Sequence, residues 1–114
     1  MKGSPSVVTA RQTELRVVLA ARGEVDVMTT PKLREAILSS LADEPSVLVI
    51  DLSATAFASS SAIGALIEAQ LAAKAATSVR LVVPSRVRRL LRMLGLDQQF
   101  EYRDTVAKAL PETD

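Results

Sequence analysis

The chain has 114 residues, 48% of them hydrophobic, and its 14 Lys and Arg against 13 Asp and Glu leave a net charge of +1. This length and apolar content predict one soluble globular domain over residues 1–114, with no charge excess that would favour direct nucleic-acid binding. The chain contains no Cys and no His, which excludes disulfides and the commonest metal ligands and removes the commonest general base. No apolar run is long enough to span a membrane, and the N-terminus lacks a signal-peptide core, so we expect a cytoplasmic protein.

Strand patterns in the first half of the chain predict the start of a sheet. Residues 14–23 ("ELRVVLAARG") predict a strand that stops at Gly23, with residues 7–10 as its hairpin partner. The unbroken apolar run 46–53 ("SVLVIDLS") predicts a strand covered on both faces, and therefore the centre of a parallel sheet. The segments "SVRLVVP" and "QFEYR" predict two further strands.

Helical periodicity separates these strands. The first helix has Thr30 as its predicted N-cap, and a second begins at the serines of "AFASSSAIGA". A third, "SRVRRLLRMLG", has Ser85 as a predicted cap and Gly95 as its end, and a short capped helix "DTVAKAL" completes the chain. The predicted buried stripe of the third helix consists of Val87, Leu90, Leu91 and Leu94.

Alternating strands and helices with short connections predict an α/β fold, with a mixed sheet of about five strands and about four helices. Each helix that follows a parallel strand begins at the same edge of the sheet. The helix starts near Thr30, Ser60 and Ser85 should therefore converge. Their unpaired N–H groups and dipoles would favour an anion at that edge.

Three consecutive serines, residues 59–61, raise the question of catalysis. A nucleophilic serine needs a base and a supporting motif, and the chain has no His, no G-x-S-x-G and no S-x-x-K constellation. No glycine-rich phosphate loop is present either. We therefore expect no enzymatic activity, no catalytic residues, no metal site and no cofactor. The alternative reading is that Ser59 or Ser60 simply caps the helix, although one cap does not explain three serines.

Several motifs, taken in order, resemble the anti-sigma factor antagonist family, whose domain is called STAS. They are "GEVD" (23–26) followed by "TTPKL", then "VLVIDLSATAFASSSAIGAL", then "RLVVPSRVRRLLRMLGLDQQF" with Leu94, Gly95 and Leu96 closing the third helix. The resemblance covers residues from about 7 to 110 and implies the STAS fold. Members of this family bind an anti-sigma factor and so release a sigma factor.

The resemblance also implies how such a protein is regulated and which residues take part. The partner is usually a serine kinase of the histidine-kinase-like ATPase type, which phosphorylates the antagonist and breaks the complex until a phosphatase resets it. By position, the phosphoacceptor falls on Ser60, with Ser61 as the alternative. The implied partner-binding residues are Asp26, Thr29, Ser59, Ser60, Ala62 and Ile63.

Two positions depart from the family pattern. Ser59 stands where the family has an aspartate, and Ala62 stands where it has a glycine. The missing carboxylate would weaken kinase recognition or positioning of the acceptor hydroxyl, so a second hypothesis stays open. In that alternative the protein is an adaptor of the same fold in a signalling or membrane-transport assembly, and it is not phosphorylated.

Other charged residues have structural as well as functional interpretations. Asp26 either contacts the partner or stabilises the turn into the first helix. Asp51 is interpreted as a hydrogen-bonded loop anchor, because no second carboxylate lies near it in sequence. The arginines of "SRVRRLLR" predict a solvated helix surface, with an acidic partner or a nucleic acid as the alternative. They are Arg86, Arg88, Arg89 and Arg92.

Overall fold

A computed structural model describes residues 7–13, 15–26, 28–58, 60–73 and 75–110. Within these ranges the chain forms five strands and four α-helices, with a 3-10 turn at Asp97–Gln99. In order they are β1 (Val7–Gln12), β2 (Arg16–Val25), α1 (Thr30–Ala42), β3 (Val47–Ala58), α2 (Ser60–Ala72), β4 (Ser78–Val82), α3 (Ser85–Met93), β5 (Glu101–Tyr102) and α4 (Val106–Ala109).

The strands form one mixed sheet in the order β1-β2-β3-β4-β5. β1 pairs with β2 antiparallel, and the three remaining pairings are parallel. Parallel neighbours need a crossover connection, which α1, α2 and α3 provide. The predicted α/β class, the hairpin and the central position of β3 are confirmed.

The two faces of the sheet are covered differently. The larger core lies beneath α1, α2 and α3 and includes Leu33, Leu66 and Leu91 from those helices. A smaller cluster on the other face contains Val18, Val47, Val49, Val82 and Ala109. Because Ala109 belongs to α4, this short helix covers the second face of β3, and the strand is buried on both sides as its sequence predicts.

Both long strands continue further than their apolar patterns indicate. β2 passes through Gly23, whose φ of 85° is open to glycine at little steric cost, and β3 continues to Ala58. Between the pairs Ala20–Asp51 and Arg22–Ala54, β3 advances by one residue more than β2, and it does so again after Gly23. These irregularities keep the strands paired where the hydrophobic pattern has ended.

The helix starts and the stripe of α3 also differ from prediction. The N-cap of α1 is Thr29, so Thr30 is its first residue, and the N-cap of α3 is Pro84, so Ser85 is likewise the first helical residue. In α3, Val87 and Leu91 are buried, but Leu94 is 55% exposed. The helix ends at Met93, one residue earlier, and Leu94 therefore no longer follows the helical stripe.

Candidate functional site

Asp26 organises the turn between β2 and α1. Its Oδ1 accepts hydrogen bonds from the backbone N–H of Met28 at 2.9 Å and of Thr29 at 3.1 Å. The Thr29 hydroxyl oxygen accepts in return from the Asp26 N–H at 2.9 Å and lies 3.0 Å from the carbonyl oxygen of Glu24, to which it donates. Thr29 therefore makes no side-chain cap on α1, because its hydroxyl is directed back into the turn.

The start of α2 lies against the start of α1. Ser61 is half-buried, and its hydroxyl oxygen is 3.1 Å from that of Thr30, which is 7% exposed. Ser60 is exposed, and its hydroxyl has no hydrogen-bond partner among the described residues. The first turn of α2 contains no acidic residue, so no carboxylate within that turn balances the positive end of the helix dipole near Ser60.

Two predicted partner-binding residues lie beneath this surface. Ala62 is fully buried and Ile63 is 3% exposed, and both belong to the core under α2. They can support a partner surface from below, but their side chains are not presented to solvent. The prediction for Ser59 falls outside the described residues.

Met28 is a surface residue of the same turn that the sequence reasoning missed. Its side chain is 79% exposed, although methionine is usually found in cores. The sequence feature that could have indicated it is an apolar residue between Asp26 and Thr29, which hydrogen-bond to each other. We call the surface formed by Asp26, Met28, Thr29 and Ser60 the α1–α2 edge.

A second contact between α1 and α2 is an exposed ion pair. Arg34 Nε lies 2.6 Å from Glu68 Oε1, and Arg34 Nη2 lies 2.8 Å from Glu68 Oε2, which gives a bidentate arrangement. The hydrogen bond from Arg34 lowers the pKa of Glu68, and the same contact raises the pKa of Arg34. The two helices are thus joined by a pair of hydroxyls at their starts and by a charged pair further along.

The arginines of α3 divide into two groups. Arg86 Nη2 donates to the carbonyl oxygen of Thr55 at 2.8 Å, and the Arg88 guanidinium lies 4.1 Å from the centroid of the Tyr102 ring and 3.6 Å from Asp97 Oδ1. Among the described residues, two exposed arginines of this helix form no hydrogen bond or ion pair. They are Arg89 and Arg92.

Asp51 has the hydrogen-bonding role that its sequence context indicates, although it lies within β3 and not in a loop. Its Oδ1 accepts from the backbone N–H of Ser53 at 2.9 Å and from the Ser53 hydroxyl at 2.6 Å. Asp51 also lines a cavity of about 240 Å³ together with Arg22 and Thr9. Asp51 therefore supports the bulged strand.

Neither a metal site nor a membrane span is found in the part of the chain that the structure describes. No group of three or more acidic residues could hold a metal ion there, and no helix in the described ranges is long and apolar enough to cross a bilayer. The α1–α2 edge offers the exposed Ser60, the N-terminus of α2 and the exposed apolar residue Met28.

Comparisons with known proteins place this architecture in a family. The profile of the STAS domain matches residues 6–109. An anti-sigma-F factor antagonist, RsfB of Mycobacterium tuberculosis, is 41% identical over 96 residues, which cover 82% of this chain and 77% of the relative.

Solved structures agree with this assignment. The crystal structure of an anti-sigma factor antagonist from Mycobacterium paratuberculosis has a TM-score of 0.79 and 30% identity, covering 92% of this chain and 91% of that one. The unphosphorylated form of the anti-sigma factor antagonist SpoIIAA shares the fold, with a TM-score of 0.72, 19% identity and coverage of 90% and 92%. The resemblance seen in the motifs is confirmed, and the chain belongs to the STAS domain family.

Proposed function

We propose that this protein is an anti-sigma factor antagonist that binds an anti-sigma factor through the α1–α2 edge and releases it when Ser60 is phosphorylated. The observation that carries the proposal is the exposed hydroxyl of Ser60, without a hydrogen-bond partner among the described residues, on the first residue of α2 beside the Asp26 turn. The names of the 41% identical and 30% identical relatives support it.

The geometry favours Ser60 over Ser61 as the phosphoacceptor. A kinase needs the hydroxyl in its own active site, and Ser60 is exposed on the helix start. Ser61 is half-buried, and its hydroxyl oxygen lies 3.1 Å from Thr30 Oγ1 in α1. This contact would have to break before a kinase could phosphorylate Ser61.

A phosphate on Ser60 would affect a bound partner more than the isolated fold. It would add a charge of about −1.5 to −2 next to the N-terminus of α2, where N–H dipoles stabilise an anion. A partner packed on Met28, which is 79% exposed, would cover the adjacent apolar surface. That partner would have to accommodate the new charge and bulk, so its affinity would fall.

The partner implied by this function is an anti-sigma factor that is itself a serine kinase of the histidine-kinase-like ATPase type. A phosphatase would reverse the modification, and the cycle would take place in the cytoplasm. The antagonist would act by binding and by accepting phosphate, with no catalytic step of its own. One domain over residues 1–114 would carry both roles.

The test combines intact-mass measurement with a binding titration. The protein is incubated with ATP and an anti-sigma kinase from the same organism, and we expect the mass to rise by one phosphoryl group. Ser60→Ala should abolish the increase, whereas Ser85→Ala, which alters the first residue of α3, should retain it.

In the titration, Ser60→Ala should bind the anti-sigma factor like the wild type, and Ser60→Glu should bind at least about tenfold more weakly, equivalent to about 1.4 kcal/mol. Equal affinities of Ser60→Ala and Ser60→Glu would contradict the switch. Binding without any mass increase would favour the adaptor alternative, in which the STAS fold docks a partner and is not phosphorylated.

A further inference from the structure

The contact between Thr30 and Ser61 joins the two halves of the α1–α2 edge. Thr30 is the first residue of α1, and Ser61 follows the first residue of α2. Their hydroxyl oxygens are 3.1 Å apart, although 31 residues separate them in sequence. Neither side chain belongs to the exposed surface, since Thr30 is buried and Ser61 is half-buried.

The direction of this hydrogen bond follows from the other contact of Thr30. The Thr30 hydroxyl oxygen is 2.7 Å from the carbonyl oxygen of Asp26. A carbonyl can only accept, so Thr30 uses its single hydroxyl hydrogen there. In the contact with Thr30, Ser61 must then be the donor. The resulting chain runs from the Ser61 hydroxyl through the Thr30 hydroxyl to the backbone of Asp26.

This series of hydrogen bonds holds both the Asp26 turn and the start of α2. The Asp26 carbonyl oxygen also accepts from the Thr30 backbone N–H at 2.8 Å, so the turn is bound to α1 by both groups of one residue. At the other end, the contact of Ser61 with α1 acts together with the buried Ala62 and Ile63 to hold the rotation of α2 about its axis. Neighbouring helical residues point about 100° apart, so this rotation turns Ser60 outward.

We propose that Ser61 is a positioning residue, which sets Ser60 and the Asp26 turn in a fixed relation through Thr30 without itself touching the partner. The proposal deepens the proposed function and rests on it where binding and phosphorylation are concerned. It assigns to Ser61 a role different from that of an alternative phosphoacceptor. Loss of the Ser61 hydroxyl should weaken both partner binding and phosphorylation of Ser60.

A double-mutant cycle tests this assignment. We expect Ser61→Ala to reduce affinity for the anti-sigma factor and kcat/KM for Ser60 phosphorylation about fivefold, the effect of one hydrogen bond. Thr30→Val should reduce both by at least as much, because it also removes the hydrogen bond to the Asp26 carbonyl. The double variant should lose no more than Thr30→Val alone, because Thr30→Val already removes the contact with Ser61. Thr30→Ser keeps the hydroxyl and should restore values close to wild type.

The ion pair between Arg34 and Glu68 supplies a matched control. Glu68→Gln weakens the other connection between α1 and α2, well away from Ser60 in the helix. If Ser61 merely stabilised the packing of these helices, Glu68→Gln would reduce phosphorylation similarly, and that result would overturn the proposal. Multiplicative effects in the double variant, or wild-type phosphorylation and binding in Ser61→Ala, would also overturn it.

A measurement without any partner separates this proposal from the proposed function. The Thr30 N–H bonds the Asp26 carbonyl, and its hydrogen exchange in the isolated protein reports how firmly the turn is fixed. We expect exchange about fivefold faster in Ser61→Ala, and unchanged exchange in Glu68→Gln. Unchanged exchange in Ser61→Ala refutes the positioning role. Absence of anti-sigma factor binding by the wild type, with faster exchange in Ser61→Ala, refutes only the proposed function.

Discussion

The α1–α2 edge and the α3 side of the molecule both arise where a helix follows a parallel strand, yet their polar contacts are organised differently. At the α1–α2 edge, short side chains close the contacts locally, as the Asp26 carboxylate does with the N–H groups two and three residues ahead. On the α3 side, long side chains extend to neighbouring elements, as Arg86 does to Thr55 and Arg88 does to Tyr102.

This difference indicates how the two regions divide their roles. Local contacts fix the shape of the α1–α2 edge while leaving Ser60 and Met28 exposed. The contacts of α3 use arginine to attach the helix to β3 and β5, and they account for two of its four arginines. A shared topology thus produces an exposed surface, which we propose binds the partner, in one place and a structural junction in another.

The largest effect should come from Asp26. In Asp26→Ala, the Met28 N–H loses its acceptor and the Thr29 N–H keeps only the Asp26 backbone carbonyl, so we expect the free energy of unfolding to fall by about 1–3 kcal/mol. Asp26→Asn keeps one carbonyl oxygen and should lose less. Urea denaturation measures both, with Ser85→Ala as a control expected to change by less than about 0.5 kcal/mol. If Asp26→Ala lowered the free energy of unfolding no more than Ser85→Ala does, the hydrogen bonds of the Asp26 turn would not hold the α1–α2 edge in shape.

A smaller loss of stability is expected on the α3 side. Arg86→Ala removes the hydrogen bond to the Thr55 carbonyl, and because the Arg86 side chain is exposed we expect a cost of about 1 kcal/mol in urea denaturation. Phosphorylation of Ser60 should remain at the wild-type rate, since Arg86 lies outside the α1–α2 edge. A reduced rate at unchanged stability would extend the interaction surface to α3.

Tyr102, which contacts α3, should make the stability of the protein depend on pH in the alkaline range. Burial, and then the nearby charge of Asp97, raise the pKa of Tyr102 to about 12 from an ordinary 10.0. The folded state favours the neutral phenol, and this preference contributes to the free energy of unfolding. The contribution is fully present below the unfolded pKa of 10.0 and is lost as the pH rises through the folded pKa of about 12. Phenolate absorbance follows this group directly, because the chain has 1 Tyr. Asp97→Asn should lower its pKa, and an unshifted titration in the wild type would contradict the burial argument.

The smallest effect concerns the exposed ion pair between α1 and α2. The hydrogen bond from Arg34 lowers the pKa of Glu68, so its contribution to stability is present above the unfolded pKa of glutamate and is lost as the pH falls through the folded value. The stability difference between wild type and Glu68→Gln should therefore be small at neutral pH and should vanish in acid. Thermal unfolding over a pH series measures it, and high salt should reduce it. A difference that grows on acidification would show that Glu68 acts in some other way.

The sequence was sufficient for the architecture but not for the local geometry. Unbroken apolar runs predicted the parallel strands, and the order of the motifs predicted the family, because both depend on patterns along the chain. β3 extends beyond the apolar run 46–53 to Ala58, because backbone pairing across a bulge requires no apolar side chain. Met28 was missed because its exposure depends on how Asp26 folds the turn beneath it.

The candidate site was predictable in position only. The family pattern indicated Ser60, but only three-dimensional contacts separate it from Ser61, whose oxygen approaches Thr30 from another helix. The arginines of α3 were equally ambiguous, because the acceptors of Arg86 and Arg88 lie on β3 and near β5. Contacts of this kind leave no local pattern in the sequence.

The short passage from β3 into α2 has a consequence for how the site can change. In sequence, one residue separates Ala58 at the end of β3 from Ser60 at the start of α2. Inserting or deleting one residue there would rotate the helix start by about 100°, and a neighbouring position would take the outward place of Ser60. The function proposed for Ser60 therefore depends on the length of this connection as well as on the identity of the serine.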